Sequence, residues 1–136
     1  MSDTAVIRTL LAADSALTAL VPENRIVVGE IQQAETLPAI SIETVSSLER
    51  KRVAELPGAV LMSARTQVTV LAKSYADQRR VLDAVANAVK AGRRQVAGVL
   101  VASIRRDIVG PDLRDSARGL YMQSRDFQVV YYRHQN

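Results

Sequence analysis

Hydrophobic positions along the chain recur first with the spacing of a helix. From Asp3 to Val21, apolar residues return every three or four positions, which predicts helix. Asp14 and Ser15 both favour helix caps, so this stretch can divide into two short helices there. Pro22 ends the helical pattern, and the segment RIVVGEI that follows predicts a short strand.

Alternation of apolar and polar residues indicates two further strands. In LPAISIETVSS, Ile40 and Ile42 point one way while polar neighbours point the other, which is typical of a half-buried strand. Residues 66–72 alternate in the same manner, with Val68 and Val70 on one face.

The stretch between these strands, residues 46–62, is polar and contains the turn dipeptide Pro57-Gly58. We interpret it as a long, protruding hairpin arm or loop that connects one strand to the next. Its charge run consists of Glu49, Arg50, Lys51 and Arg52.

Residues 75–90 follow the period of an amphipathic helix. Ser74 and Asp77 have the spacing of a capping box at its start, and Gly92 occupies the position of a left-handed C-cap after its end. The apolar stripe consists of Val81, Leu82, Val85, Ala88 and Val89.

The rest of the chain predicts two more strands, residues 98–109 and 120–133, joined by the polar loop 110–119. On the last strand Phe127 and Tyr131 share a face and look like core residues. The element order is therefore α-β-β-β-α-β-β. Because consecutive strands stand at both ends of the central helix, this order favours an α+β fold with a largely antiparallel sheet, not a doubly wound one.

Composition is consistent with one such domain over residues 1–136. The chain is 48% hydrophobic and 24% charged, enough to bury a core. No stretch approaches the roughly 20 apolar residues that span a bilayer, and the first residues lack the basic region of a signal peptide. We therefore expect no membrane contact and a protein made in the cytoplasm.

Catalytic apparatus is not evident. The chain has no cysteine, which excludes disulfides, thiolate nucleophiles and cysteine-based zinc sites. The strand–helix junction LAKSYAD has no glycine, as a phosphate loop would need, and Ser74 and Asp77 occupy the donors of the helix start. His134, the single histidine, lies next to the C-terminus. We predict no enzyme activity and no cofactor.

A metal site is also not predicted. Asp107, Asp112 and Asp115 could in principle hold Mg²⁺ or Ca²⁺, but the spacing is not that of an EF-hand. Basic residues are interleaved with these carboxylates, so surface ion pairing is the simpler interpretation. They are Arg105, Arg106, Arg114 and Arg118.

A small basic nucleic-acid-binding domain stays open as an alternative. The net charge is +4, and three arginine pairs, at 79–80, 93–94 and 105–106, could contact phosphates. The segment RGLYM at 118–122 lacks the stacking aromatics of an RNA-recognition motif.

As a whole, the sequence resembles the tail-completion, or tail-terminator, proteins of long-tailed phages, prophages and gene-transfer particles. The blocks that carry the resemblance follow one another in order and cover nearly the whole chain. They are LLAADSALTALVPENRIVVGEIQQAETLPAISIETV, ARTQVTVLAKSYADQRRVLDAVANAV and DLRDSARGLYMQSRDFQVVYYR.

The resemblance implies a structural virion protein without catalysis. Such proteins form a ring, typically of six subunits, on the head-proximal end of the tail tube, where they stop tube polymerisation and join the head connector. The expected partners are further copies of the chain, the major tail tube protein and the connector or neck protein. DNA passes through the lumen without specific binding, so we expect the arginine pairs to avoid the lumen.

Subunit or partner contacts are expected from the two polar excursions, 46–62 and 110–119. A head–tail joining or neck protein of the same particle is the alternative role. The residues proposed for the contacts are Glu49, Arg50, Lys51, Arg52, Asp112, Arg114, Asp115 and Arg118.

Overall fold

A computed structural model describes residues 2–29, 36–52 and 58–134. Within these ranges helices and strands form one mixed α+β structure, which confirms the predicted fold class. The helices are α1 (Ser2–Ala13), α2 (Ser15–Leu20) and α3 (Tyr75–Ala88). The strands are β1 (Ile26–Val28), β2 (Ala39–Arg52), β3 (Ala59–Ala72), β4 (Arg94–Val96), β5 (Val99–Val109), β6 (Leu113–Asp115) and β7 (Leu120–His134).

All seven strands join one sheet in the order β1-β2-β3-β7-β5-β4, with β6 beside β7. The four long strands, β2, β3, β7 and β5, pair antiparallel throughout, and β1 adds to β2 in parallel. The sheet curls into a half-barrel. The largely antiparallel arrangement predicted from the element order is confirmed.

One face of the sheet carries the hydrophobic core. Ile42 on β2, Val68 on β3 and Val129 on β7 are fully buried there, together with the side chains of α1 and α3. Phe127 and Tyr131 belong to the same core, as predicted. The alternation of each strand therefore sets which of its sides the helices cover.

The opposite face is polar and held by cross-strand side-chain pairs. Asp126 Oδ2 accepts a hydrogen bond from Arg65 Nε at 2.5 Å, and Ser63 Oγ accepts one from Gln128 Nε2 at 2.5 Å. Each pair joins β3 to β7, the two central strands. The sheet consequently has one apolar and one polar side.

The caps predicted for the helix starts are confirmed. Asp14 Oδ1 accepts the Leu17 N–H at 2.9 Å and begins α2, and Ser74 Oγ accepts the Asp77 N–H at 3.1 Å and begins α3. A side-chain oxygen at each N-cap thus satisfies a backbone donor that the helix leaves free.

The end of α3 differs from the prediction. The helix stops at Ala88, and its C-cap is Val89, which donates its N–H to the Val85 carbonyl. Gly92, predicted as the cap, lies beyond it with a φ of 131°. The Arg94 guanidinium satisfies carbonyls after the helix, at Lys90 and Ala91. The apolar stripe of α3 is buried as predicted.

Residues 46–62, predicted as a hairpin arm or loop, continue the sheet where the structure describes them. Ser46–Arg52 pair with Val60–Arg65 as the outer halves of β2 and β3. Val60 and Met62 extend the alternation of β3 on the core face, which holds the charged half of β2 in register although it has no alternation of its own. Residues 53–57 lie outside the described residues.

Two short strands, β4 and β6, were not predicted. Each has three residues and pairs with a long neighbour, β5 and β7 respectively. Strand β6 lies inside the segment 110–119, which the sequence predicts to be a loop. So short a strand depends on the hydrogen bonds its neighbour offers, and no periodicity can reveal it.

Candidate functional site

The residues predicted to make contacts lie in two separate regions of the sheet, one on β2 and one beside β7. Glu49 and Arg50 are exposed on β2, while Asp112, Arg114 and Asp115 lie in or beside β6. Strands β3 and β7 separate the two groups. They therefore form two separate surfaces.

The other three predicted residues lie in the same two regions. Lys51 and Arg52 pair with Leu61 and Val60 in the β2–β3 hairpin, and their side chains lie outside the described residues. Arg118 sits in the turn before β7, where its N–H reaches Asp115 Oδ1 at 3.3 Å.

Strand β2 is an open edge of the sheet over its second half. Strand β1 pairs only with Ile40–Ile42, and on that side of Thr44–Arg52 the described part of the chain places no other strand. Leu48, at 64% exposure, and Val45 present aliphatic side chains at this edge. Glu49 on β2 lies 3.6 Å from Arg133 on β7, across β3.

Strand β5 is the open edge at the other end of the sheet. Strand β4 pairs only with Val99–Val101, and within residues 2–29, 36–52 and 58–134 nothing pairs with the outer side of Ser103–Val109. Ile108 and Val109 are about half exposed here. Both open edges thus combine free backbone groups with solvent-facing aliphatic residues.

A groove accompanies each open edge. Beside β5, a groove of about 560 Å³ runs between residues 104–106 and residues 86–91, which form the end of α3 and the segment that follows it. Over the outer half of the β2–β3 hairpin, a groove of about 440 Å³ is lined by Leu48, Glu49 and Arg50 on β2 and by Leu61 on β3. These concave borders leave space for the side chains of an added strand.

The 110–119 segment is held against β7. Gly110 packs so closely that a side chain there would come within 2.4 Å of Ser124 Oγ, and its carbonyl accepts Gln123 Nε2 at 2.9 Å. The Asp115 carboxylate pairs with Arg118 at 3.7 Å. Among the residues that the structure describes, no cluster of three or more His, Asp or Glu could hold a metal ion.

Most of the paired arginines are engaged within the chain. Arg106 donates to the Ala86 carbonyl at 3.0 Å, and Arg80 meets Asp77 at 3.3 Å. Arg79 and Arg93 lie over the rings of Tyr75 and Tyr132 at 5.9 and 5.8 Å. Arg80 lies near the start of α3, whereas Arg94 and Arg106 both donate to carbonyls within residues 86–91, so two of the three pairs come together around the C-terminal end of the helix.

A buried polar cluster fastens the first turn of α1 to the sheet. Asp3 Oδ2 accepts hydrogen bonds from Thr44 Oγ1 at 2.7 Å and Thr66 Oγ1 at 2.9 Å. Burial raises the pKa of Tyr131 above 10.0, and the nearby Asp3 carboxylate raises it further, while Arg133 and a hydrogen bond to Ser47 act in the opposite direction. The cluster lies inside the core and therefore serves the fold.

Gln78 is a buried polar residue that the sequence did not reveal. Its side chain is fully buried on α3, and neither amide atom has a hydrogen-bond partner among the described residues. It borders a small pocket of about 280 Å³ with Tyr75, Leu113 and Tyr121 among its walls. Its spacing of three and four residues from Val81 and Leu82 places it on the same helix face, which is the signal that could have identified its burial.

No described helix is long and apolar enough to cross a membrane.

Comparisons with known proteins identify one family by sequence and one similar fold. The family model described as tail completion protein gp17 matches residues 5–132. A chain in the structure of the virion of a native gene transfer agent particle shares the fold, with a TM-score of 0.74 over 96% of this chain and 94% of that one, at 13% identity. A sequence search of curated proteins found no match.

Proposed function

The chain belongs to the family of tail completion protein gp17, whose members have a structural role in phage tails, and we propose that it completes a tail by forming a ring at the head-proximal end of the tail tube. The ring stops tube polymerisation and presents a surface to the head connector. It acts through its surfaces, without catalysis, cofactor or metal. The observation that carries this proposal is the family match over nearly the whole chain.

The fold supports a place inside a particle. The similar structure is that of a virion of a gene transfer agent particle, and the likeness covers almost all of both chains. At 13% identity this likeness concerns the fold, so the place of this chain in a virion is our proposal. The chain would assemble in the host cytoplasm and end up at the head-proximal end of the tail.

The two open edges support a ring of identical subunits. They lie at opposite ends of one sheet, so the contact that a copy makes with one neighbour uses a different surface from its contact with the other. Such head-to-tail contacts generate a closed ring when the rotation between copies closes. We propose a ring of six, stacked on the major tail tube protein and facing the connector or neck protein, with DNA passing through the lumen unbound.

Deletion of the gene from its particle tests this function. We expect free filled heads and tails of uncontrolled length, both visible by negative-stain electron microscopy. Supplying the chain in trans should restore tails of one length. Normal particles from the deletion strain would overturn the proposal.

Location of the chain along the tail axis separates the terminator from its alternative. Cryo-electron microscopy should find it as one ring between the last tube ring and the connector. A position on the head side of that junction, with normal tail length in the deletion strain, would identify the head–tail joining or neck role instead.

A further inference from the structure

We propose that neighbouring subunits join by sheet extension, the open edge of β5 in one copy pairing antiparallel with the open edge of β2 in the next. The inference rests on the proposed ring and names its contact surface. One of the two contact surfaces is the outer half of β2, which belongs to the predicted arm 46–62. The other is β5, whereas the sequence predicted the 110–119 segment.

Strand direction permits this contact around a whole ring. Three successive antiparallel pairings, β2 with β3, β3 with β7 and β7 with β5, make the two outer long strands run in opposite directions. A copy rotated about an axis along the strands therefore brings its β2 antiparallel to β5 of the first copy. Its helices stay on the same side of the sheet as those of the first copy. Every further copy meets the same geometry.

The two free stretches also lie level with each other within one subunit. The cross-strand register links Leu48 through Ser63 and Val130 to Ser103. Ser47 is linked through Ala64 and Val129 to Ile104 by the same register, one residue away. Rotation alone, with no displacement along the axis, thus places the stretches side by side. A contact without axial rise gives a closed ring, whereas a rise would give a filament.

The bulges mark where the pairing begins and ends. Strand β2 has register shifts between Thr44 and Ser46 and between Glu49 and Lys51, and β5 has them on both sides of 103–106. Each edge therefore offers a regular stretch of four residues, 46–49 and 103–106. Strand β1 covers the start of β2, and β4 covers the start of β5, which confines pairing to these stretches.

The side chains at both edges favour a partner over solvent. Natural sheets blunt exposed edges with charges and bulges, because free backbone groups recruit other strands. Here Leu48 on β2 is 64% exposed, and Val45 beside it and Ile108 and Val109 on β5 are about half exposed. An added strand along 46–49 would cover Leu48, while Val45, Ile108 and Val109 flank the paired stretches. Bulges and charges then limit the pairing to the matching edge of another copy.

Paired cysteines test the contact, because the chain has no cysteine of its own. The variant with Leu48→Cys and Ser103→Cys should cross-link between copies in purified particles under mild oxidation. It should give a ladder of covalent oligomers that ends at the ring number. Leu48→Cys alone should give no dimer, since the contact joins two different surfaces. The matched control joins Leu48→Cys to Asp83→Cys, on the exposed side of α3, and should stay monomeric on the gel.

The outcomes separate this inference from the proposed function. A ring that is present in particles but gives no more cross-linking with the Leu48–Ser103 pair than with the control overturns the edge contact and leaves the function standing. A chain absent from the particles overturns both.

A charge placed at the edge gives an independent readout. Leu48→Asp should reduce incorporation into particles at least tenfold while its circular dichroism spectrum and thermal midpoint stay near those of the parent chain. Tyr75→Asp, at a similarly exposed position on α3, should leave incorporation unchanged. Normal incorporation of Leu48→Asp would contradict the edge contact.

Discussion

Single residues in the interior carry polar groups that the fold satisfies to different degrees. Asp3 is fully buried yet receives two hydroxyl donors, whereas Gln78 is equally buried and has no partner among the described residues for either amide atom. A buried polar group without a partner costs roughly 1–3 kcal/mol, and a buried hydrogen bond to a charged group contributes about 1.5–3 kcal/mol. Substitutions at the two positions should therefore have opposite effects.

Replacing Gln78 with Met should stabilise the protein. Methionine has a similar length and no amide to desolvate, so Gln78→Met should raise the free energy of unfolding by about 1 kcal/mol. Urea denaturation followed by circular dichroism measures the difference. Asn87→Met, on the exposed side of the same helix, is the control and should stay within about 0.5 kcal/mol. Destabilisation by Gln78→Met would show that its amide is satisfied.

Removing the Asp3 carboxylate should destabilise the protein. Asp3→Ala leaves the Thr44 and Thr66 hydroxyls without their acceptor and frees the start of α1 from the sheet. We expect a loss of about 2–3 kcal/mol in the free energy of unfolding, measured by urea denaturation. Asp83→Ala, a carboxylate on the exposed face of α3, should change it by less than about 0.5 kcal/mol. Equal effects of the two variants would refute the structural role of Asp3.

Tyr131 should make the protein sensitive to alkali. Its pKa is raised in the folded state, chiefly by burial and then by Asp3, so the folded chain keeps a proton that the unfolded chain releases near 10.0. The stability this provides is complete below pH 10 and declines as the pH rises above it. Between about pH 9 and 11, the free energy of unfolding of Tyr131→Phe should fall less than that of the parent chain. The midpoints of urea denaturation at each pH measure this difference. Parallel pH profiles would rule out the titration of Tyr131 as a cause.

At the scale of elements, helix starts and strand edges follow different rules. A helix start is fixed by a local hydrogen bond, as at Asp14 and Ser74. A strand needs a neighbour, so β4 and β6 exist only where β5 and β7 offer free backbone groups. Within the described residues, the edges of β2 and β5 without a neighbouring strand are the ones that the proposed contact between copies uses.

The cap of α3 should contribute measurably to stability. Ser74→Ala removes the acceptor of the Asp77 N–H and should lower the free energy of unfolding by about 1 kcal/mol. Ser74→Asp retains an acceptor next to the positive end of the helix and should restore most of the loss. Thermal denaturation of the three chains compares them. A Ser74→Asp variant no more stable than Ser74→Ala would contradict the capping role.

At the scale of the whole molecule, a net charge of +4 does not by itself make a nucleic-acid surface. Most members of the arginine pairs meet a carbonyl, a carboxylate or an aromatic ring of the same chain. Electrostatic binding to phosphates needs several free cations on one face. Here one pair lies near the start of α3, and the other two meet around its C-terminal end, where Arg94 and Arg106 donate to backbone carbonyls.

Because the proposed role lets DNA pass through the lumen unbound, we expect the chain not to bind a labelled oligonucleotide, even at low salt. Fluorescence anisotropy with single- and double-stranded DNA at about 50 and 200 mM salt checks this, because phosphate contacts would give tight binding only at the lower concentration. Salt-dependent binding would support the small basic nucleic-acid-binding domain instead.

The sequence by itself determined the local elements and the sides they bury. The spacing of Val81, Leu82 and Val85 identified the buried face of α3, and the Ser74 cap identified its start, because both depend on residues within a few positions of one another. The α+β class followed from the element order. The resemblance of the ordered blocks then led to the family that the comparison shows.

Only the tertiary structure decided which surfaces are free. The outer half of β2 has no periodicity and becomes a strand because Val60 and Met62 hold β3 against the core. The separation of the two predicted contact regions and the level position of Leu48 and Ser103 depend on cross-strand register. Register is set by packing between residues far apart in the chain, which no local pattern contains.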